Sequence, residues 1–198
     1  MSCRRGLLLL PLGIAAGCVN TDPPPPTLAT LETTLPEPVP YPRPLLLNVV
    51  RIEIAPIEGG SAFLVVPPAP INPSDAMVAM ARERLRAVGG TRAARFVVRT
   101  ARFGRHPGGT GGLLTGRTNM LHCTLRCMLD IFSPEDNLLG SAKAEVQHGA
   151  TVPASSPAEL EDSSMRFMRA VMAHLGQEFE NAVRRDLGAF LAPGPGPA

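Results

Sequence analysis

The clearest signal in the chain is an unbroken alternation late in its middle third. Leu121, Cys123, Leu125, Cys127, Leu129 and Ile131 take turns with Met120, His122, Thr124, Arg126, Met128 and Asp130. A period of two over this length predicts a half-buried β-strand. Upstream, ARFVVRTARF sets Phe96 and Val98 on one side and Arg95 and Arg99 on the other. Downstream, SPEDN reads as a turn, and Ala142, Ala144 and Val146 then alternate with Lys143, Glu145 and Gln147. Three such strands in succession predict an antiparallel meander with one wet face. An earlier strand is expected in LLLNVVRIEIAP, with Val50, Ile52 and Ile54 inward and Val49, Arg51 and Glu53 outward. Phe63 to Val66 adds a short extended piece before Pro67 and Pro68.

Two segments change to a helical period. Asn72 caps the first, Pro73 suits its opening turn and Asp75 complements its dipole. Its apolar stripe is Met77, Ala81, Leu85 and Val88, and Gly89 with Gly90 ends it. The second runs from about Pro157 to Ala192 behind a Ser156–Pro157–Glu159 capping signal. Its stripe is Leu160, Met168, Val171, Leu175, Phe179, Ala182 and Phe190, and a bend is expected near Gly176 or Gly188. The order β-α-β-β-β-α predicts an α+β fold. It is a two-layer sandwich, a mainly antiparallel sheet of about four strands with both helices covering one face.

The first eighteen residues have a different pattern. Arg4 and Arg5 precede an apolar run from Leu7 to Ala16, and Ala16 and Gly17 stand directly before Cys18. The run is shorter than the roughly 20 residues that span a bilayer and has the layout of an export signal. It resembles the lipobox of bacterial lipoproteins. The resemblance implies removal of residues 1–17 and acylation of Cys18, whose acyl chains hold the protein on a membrane. Val19, where aspartate would mark inner-membrane retention in that family, points to the outer membrane and the periplasmic side. The nine prolines of residues 20–44 make a semi-extended segment. It is either a tether with reach or a spacer of no particular length. The expected organisation is therefore signal 1–17, lipidated cysteine and linker 18–44, one domain 45–192, and a disordered tail 193–198. A lipobox, a linker and this order of elements also resemble small envelope lipoproteins that assist lipopolysaccharide assembly or serve lipid-transport machines.

Charge narrows the partners. The formal charge of +2 disappears once Arg4 and Arg5 are removed, leaving 17 basic and 17 acidic side chains. A neutral chain lacks the basic footprint that nucleic acid requires and an electrostatic reason to lie on anionic lipid. With no Trp and one Tyr, stacking platforms are scarce. Two cysteines remain besides Cys3 and Cys18. Cys123 and Cys127 lie four apart on one strand face, about 13 Å, beyond the roughly 7 Å a disulfide allows. They read as buried thiols, or as partners in an intermolecular bridge.

Candidate chemistry is thin. GGLLTGRT, Gly111 to Thr118, matches the spacing of a phosphate-binding loop with Arg117 for lysine. A strand pattern follows it instead of the helix that chemistry needs, so no nucleotide is expected. Residues 104–118 read as a Gly-rich connection or a partner-contact segment. His106, His122, His148 and His174 show no compact ligand spacing, and no metal, cofactor or catalytic residue is expected. Met165, Met168 and Met172 are core or a greasy docking stripe. The charged sheet face reads as cross-strand ion pairs or as a docking face. Arg95, Arg99, His122 and Arg126 are the candidate partner contacts. The functional expectation is a non-enzymatic accessory lipoprotein that binds an envelope protein or a lipid. The alternatives are a structural or stress-related lipoprotein without a dedicated partner, and a small ligand-binding or hydrolytic protein.

Overall fold

The computed structural model describes residues 44–55, 62–65, 71–110, 117–153 and 156–192. The signal, Cys18, the linker to residue 43, Gly111 to Gly116 and the tail lie outside the described residues. The chain forms β1 (Leu45–Leu47), β2 (Arg51–Ala55), β3 (Ala62–Val65), α1 (Pro73–Arg84), β4 (Leu85–Ala87), β5 (Ala93–Thr110), β6 (Arg117–Phe132), β7 (Leu138–Pro153) and α2 (Pro157–Asp186). This is the expected α+β sandwich. The main sheet has the order β2-β5-β6-β7, with β3 also pairing β5. β2 and β3 run parallel to β5, and β5-β6-β7 is the antiparallel meander.

The first expected strand is split. Leu45–Leu47 pairs in parallel with Leu85–Ala87, and the chain turns at Asn48 to Val50 before β2 begins. The turn reverses the facing: Val49 is buried while Val50 is 58% exposed. The same pairing shortens the first helix. Asn72 caps it as expected, its Oδ1 accepting from the Ser74 N–H at 2.9 Å. The helix stops at Arg84, and Leu85 is recruited into β4 while Val88 is exposed. Gly89 and Gly90 follow at φ 118° and 109°, a region that costs glycine nothing.

β5 keeps one face apolar from Ala94 to Phe103 by a bulge. Ala94, Phe96 and Val98 point into the core, the register slips between Val98 and Thr100, and Ala101 and Phe103 then take over. Without the extra residue, Arg99, every later side chain would exchange faces. The strand also runs further than the glycines imply. Residues 104–107 pair in the ladder, β5 runs on to Thr110, and β6 starts at Arg117, so the expected connection over 104–118 shrinks to its middle.

α2 is a single helix through Gly176, and the chain leaves helical geometry just before Gly188. Ser156 Oγ accepts from the Glu159 N–H at 3.2 Å, the forward half of the capping signal. Phe179 meets Phe96 edge-on at 5.6 Å and Phe167 meets Phe103 at 6.4 Å. Met168, Val171 and Leu175 complete the stripe, with Ala142 and Ala144 on β7 beneath. Met168 and Met172 are buried with them, so these two members of the methionine stripe are core, while Met165 is half-buried. α1 joins α2 through Arg84, 2% exposed, which pairs with Glu180 and donates to the Gly176 carbonyl at 2.6 Å.

Candidate functional site

The face of the sheet turned away from the helices carries the candidate contacts, and strand register arranges them in rows. One row is Glu53, Arg95, Asp130 and Ser141; the next is Ala55, Val97, Met128 and Lys143. Thr100, Arg126 and Glu145 form a third, and Arg102, Thr124 and Gln147 a fourth. Gly104, His122 and Gly149 follow, then His106, Met120 and Thr151. The alternation that buries Leu125 and Leu129 on one face therefore delivers Arg126 and Met128 to the other.

The arginines are engaged across strands. Arg126 donates through Nε and Nη2 to both oxygens of Glu145, at 2.9 and 2.6 Å. That fork holds the Glu145 carboxyl below its ordinary range. Arg95 donates from Nε to Glu53 at 3.1 Å and lays its guanidinium 5.4 Å from the centre of the Phe132 ring. Both pairs are solvent-exposed. The cross-strand reading is thus realised for Arg95 and Arg126. Arg99 stands at the bulge, half-buried, displaced from the rows. Between the ion pairs Val97 is buried at 1% exposure, Met128 is half-buried, and Asp130 sinks to 8% exposure beside them.

His122 is placed by a glycine. A Cβ on Gly104 would fall 1.9 Å from its Cε1, so the ring lies over the bare backbone of β5. There it stacks on His106 at 4.9 Å, the planes 5° apart. Burial and the neighbouring His106 both lower its pKa. The other two histidines also meet: His148 Nε2 lies 2.6 Å from His174 Nδ1, a hydrogen bond from β7 to α2. Sequence spacing missed both pairs, because the first depends on hairpin register and the second on where α2 crosses β7.

What the site can do chemically follows from these groups. Cys123 and Cys127 are free and buried, their thiols pushed up to about 12 by burial, so neither supplies a thiolate nucleophile. Their burial also removes them from any bridge between chains in the folded state. Arg117 and Thr118 of the phosphate-loop lookalike belong to a strand, as the sequence pattern requires. Among the described residues no cluster of three His, Cys, Asp or Glu side chains is placed to hold a metal, and no helix is long and apolar enough to cross a membrane.

No protein-family model matches the chain, and no curated protein matches it. Among solved structures, a minor lipoprotein from Acinetobacter baumannii is similar at 13% identity and TM-score 0.39, over 76% of this chain and 100% of that one. Rare lipoprotein B from Shewanella oneidensis is similar at 10% identity and TM-score 0.36, over 68% and 96%. A lipoprotein B from Nitrosomonas europaea is similar at 13% identity and TM-score 0.38, over 73% and 89%.

Proposed function

We propose that this protein is a non-enzymatic lipoprotein, anchored by acyl chains on Cys18 to the outer membrane and facing the periplasm. Its domain serves envelope assembly or transport by docking a protein or lipid partner on the open sheet face. The one-sided build of the sandwich carries the reading. Both helices and the β1–β4 pair contribute to one core, while the opposite face keeps exposed Arg126–Glu145 and Arg95–Glu53 pairs on either side of a half-buried Met128. Exposed charged side chains beside a half-buried Met128 match the polar rim of a docking surface. The buried, protonated thiols and paired histidines favour binding over catalysis. The anchor rests on the Arg4–Arg5, Leu7–Ala16 and Cys18 pattern.

The reading is tested by Cys18→Ala, which is expected to abolish labelling by a fatty-acid probe and to shift the protein from the membrane to the soluble periplasmic fraction. An unlabelled wild type, or a variant that stays on the membrane, overturns it.

A further inference from the structure

All four histidines of the chain gather at one end of the sheet, where β5 and β6 approach their hairpin and β7 runs out. His106 and His122 stack on the open face. His148 and His174 bond on the helix-covered face. One register step of the β6–β7 ladder separates the two: His122 pairs with Gly149, and Cys123 with His148. We propose that these four side chains form a proton-operated latch: neutral, they tie α2 to β7 and brace the hairpin, and doubly protonated, each pair repels and this end of the sheet loosens while the opposite end stays folded. The inference goes beyond the docking reading and does not depend on it.

The geometry sets the logic. His148 Nε2 and His174 Nδ1 face each other, so one nitrogen must donate and the other accept. A single added proton leaves one of the two facing nitrogens bare, so one ring still accepts and the bond persists. A second puts N–H groups on both facing nitrogens and ends the bond. From α2, the Glu178 carboxylate lies 3.8 Å from His174 Nε2, on the side of the ring away from His148. From β6, Cys123 stands opposite His148, and its thiol is neutral. On β7 the flanking Val146 and Ala150 are apolar. No described carboxylate faces His148, so its ring is the one that resists protonation, and burial followed by His174 lowers its pKa.

The outer pair is surrounded on β5 by Arg102, on β6 by Met120 and Thr124, and on β7 by Gln147, Gly149 and Thr151, while Arg105, level with Leu121 and Ala150, lies on the face of the inner pair. Each pair thus has a fixed cation on its own face, Arg102 for the outer and Arg105 for the inner, which opposes a second proton. α2 is held near its middle on two flanks. Arg84 ties one to α1 with a permanent charge, whereas His174 ties the other to β7 with a titratable one. Acid releases only the second.

Amide hydrogen exchange of the full chain at about pH 7 and about pH 5, corrected for intrinsic rates, reads the latch. Residues 119–124 and 146–152 are expected to lose about tenfold in protection, while residues 93–98 and 127–131 keep theirs. His148→Gln, which bonds without titrating, is expected to restore protection in 146–152. Uniform loss, no loss, or a variant that behaves as wild type overturns the proposal. In the unmodified protein, imidazole NMR titration is expected to show each pair losing its protons in two separated steps. Four independent titrations near pH 6.5 overturn it without any variant.

Discussion

The two faces of the central sheet are built from the same strands, residue against alternate residue, yet they are held by different forces. Inward, Phe96, Val98, Leu125, Leu129 and Ala144 are dry and interlock with Phe179 and Val171. Outward, their neighbours Arg95, Arg126 and Glu145 pair in water. Burial of a large apolar side chain contributes about 1.5–3 kcal/mol, whereas an exposed ion pair contributes roughly 0.2–1 kcal/mol. The inner face therefore fixes the fold, and the outer face can be altered with little cost to it. A surface that stability does not constrain is a surface available for recognition.

The comparison breaks first at the inner face. Phe96→Ala is expected to lower unfolding free energy by about 3–5 kcal/mol, read by chemical denaturation; a loss below about 1 kcal/mol would mean that the Phe96–Phe179 contact is not central. Next is the helix pair. Glu180→Ala leaves the buried Arg84 guanidinium without its carboxylate and is expected to cost about 3 kcal/mol, while Arg84→Met with Glu180→Leu is expected to be near neutral. Equal losses in both variants would contradict the packing assigned to Arg84.

Acid probes the seam between the faces. His148 and His122 are held below the ordinary imidazole value of 6.5, each first by burial and then by its histidine neighbour. The unfolded chain then binds more protons than the folded one just below that value, so stability is complete above about pH 6.5 and falls as pH drops through the lowered folded range. Thermal unfolding of wild type and His148→Gln against pH checks the sign: the variant's curve should be flatter. The smallest effect is outermost. Arg126→Ala is expected to cost at most about 1 kcal/mol, shrinking further in high salt.

Much of this was readable in advance where a single period runs long. The alternation from Leu121 to Ile131 defined β6, and Phe179 with Leu175 and Val171 defined the buried stripe of α2. Asn72 and Ser156 announced their caps. Short elements escaped, because Leu45–Leu47 and Leu85–Ala87 are three residues each and show no period; only their mutual pairing makes them strands. The Arg99 bulge left a trace, since apolar positions shift from even at Phe96 and Val98 to odd at Ala101 and Phe103. Glycine weighed too heavily at Gly104, which sits in the ladder, and at Gly108, which lies within β5. Arg95, His122 and Arg126 share the face turned away from the helices and Arg99 falls at the bulge, but the ion pairs and the histidine contacts depend on register that no local pattern encodes.

The open face is tested most directly by photo-crosslinking in intact cells. A photoactivatable residue at Gln147, exposed on that face, is compared with one at Arg166, exposed on α2. The account predicts a discrete adduct to an envelope protein or lipid from position 147, absent from position 166 and lost when Cys18→Ala removes the anchor. The same adducts from both positions, or none from position 147 in a normally anchored protein, would contradict it.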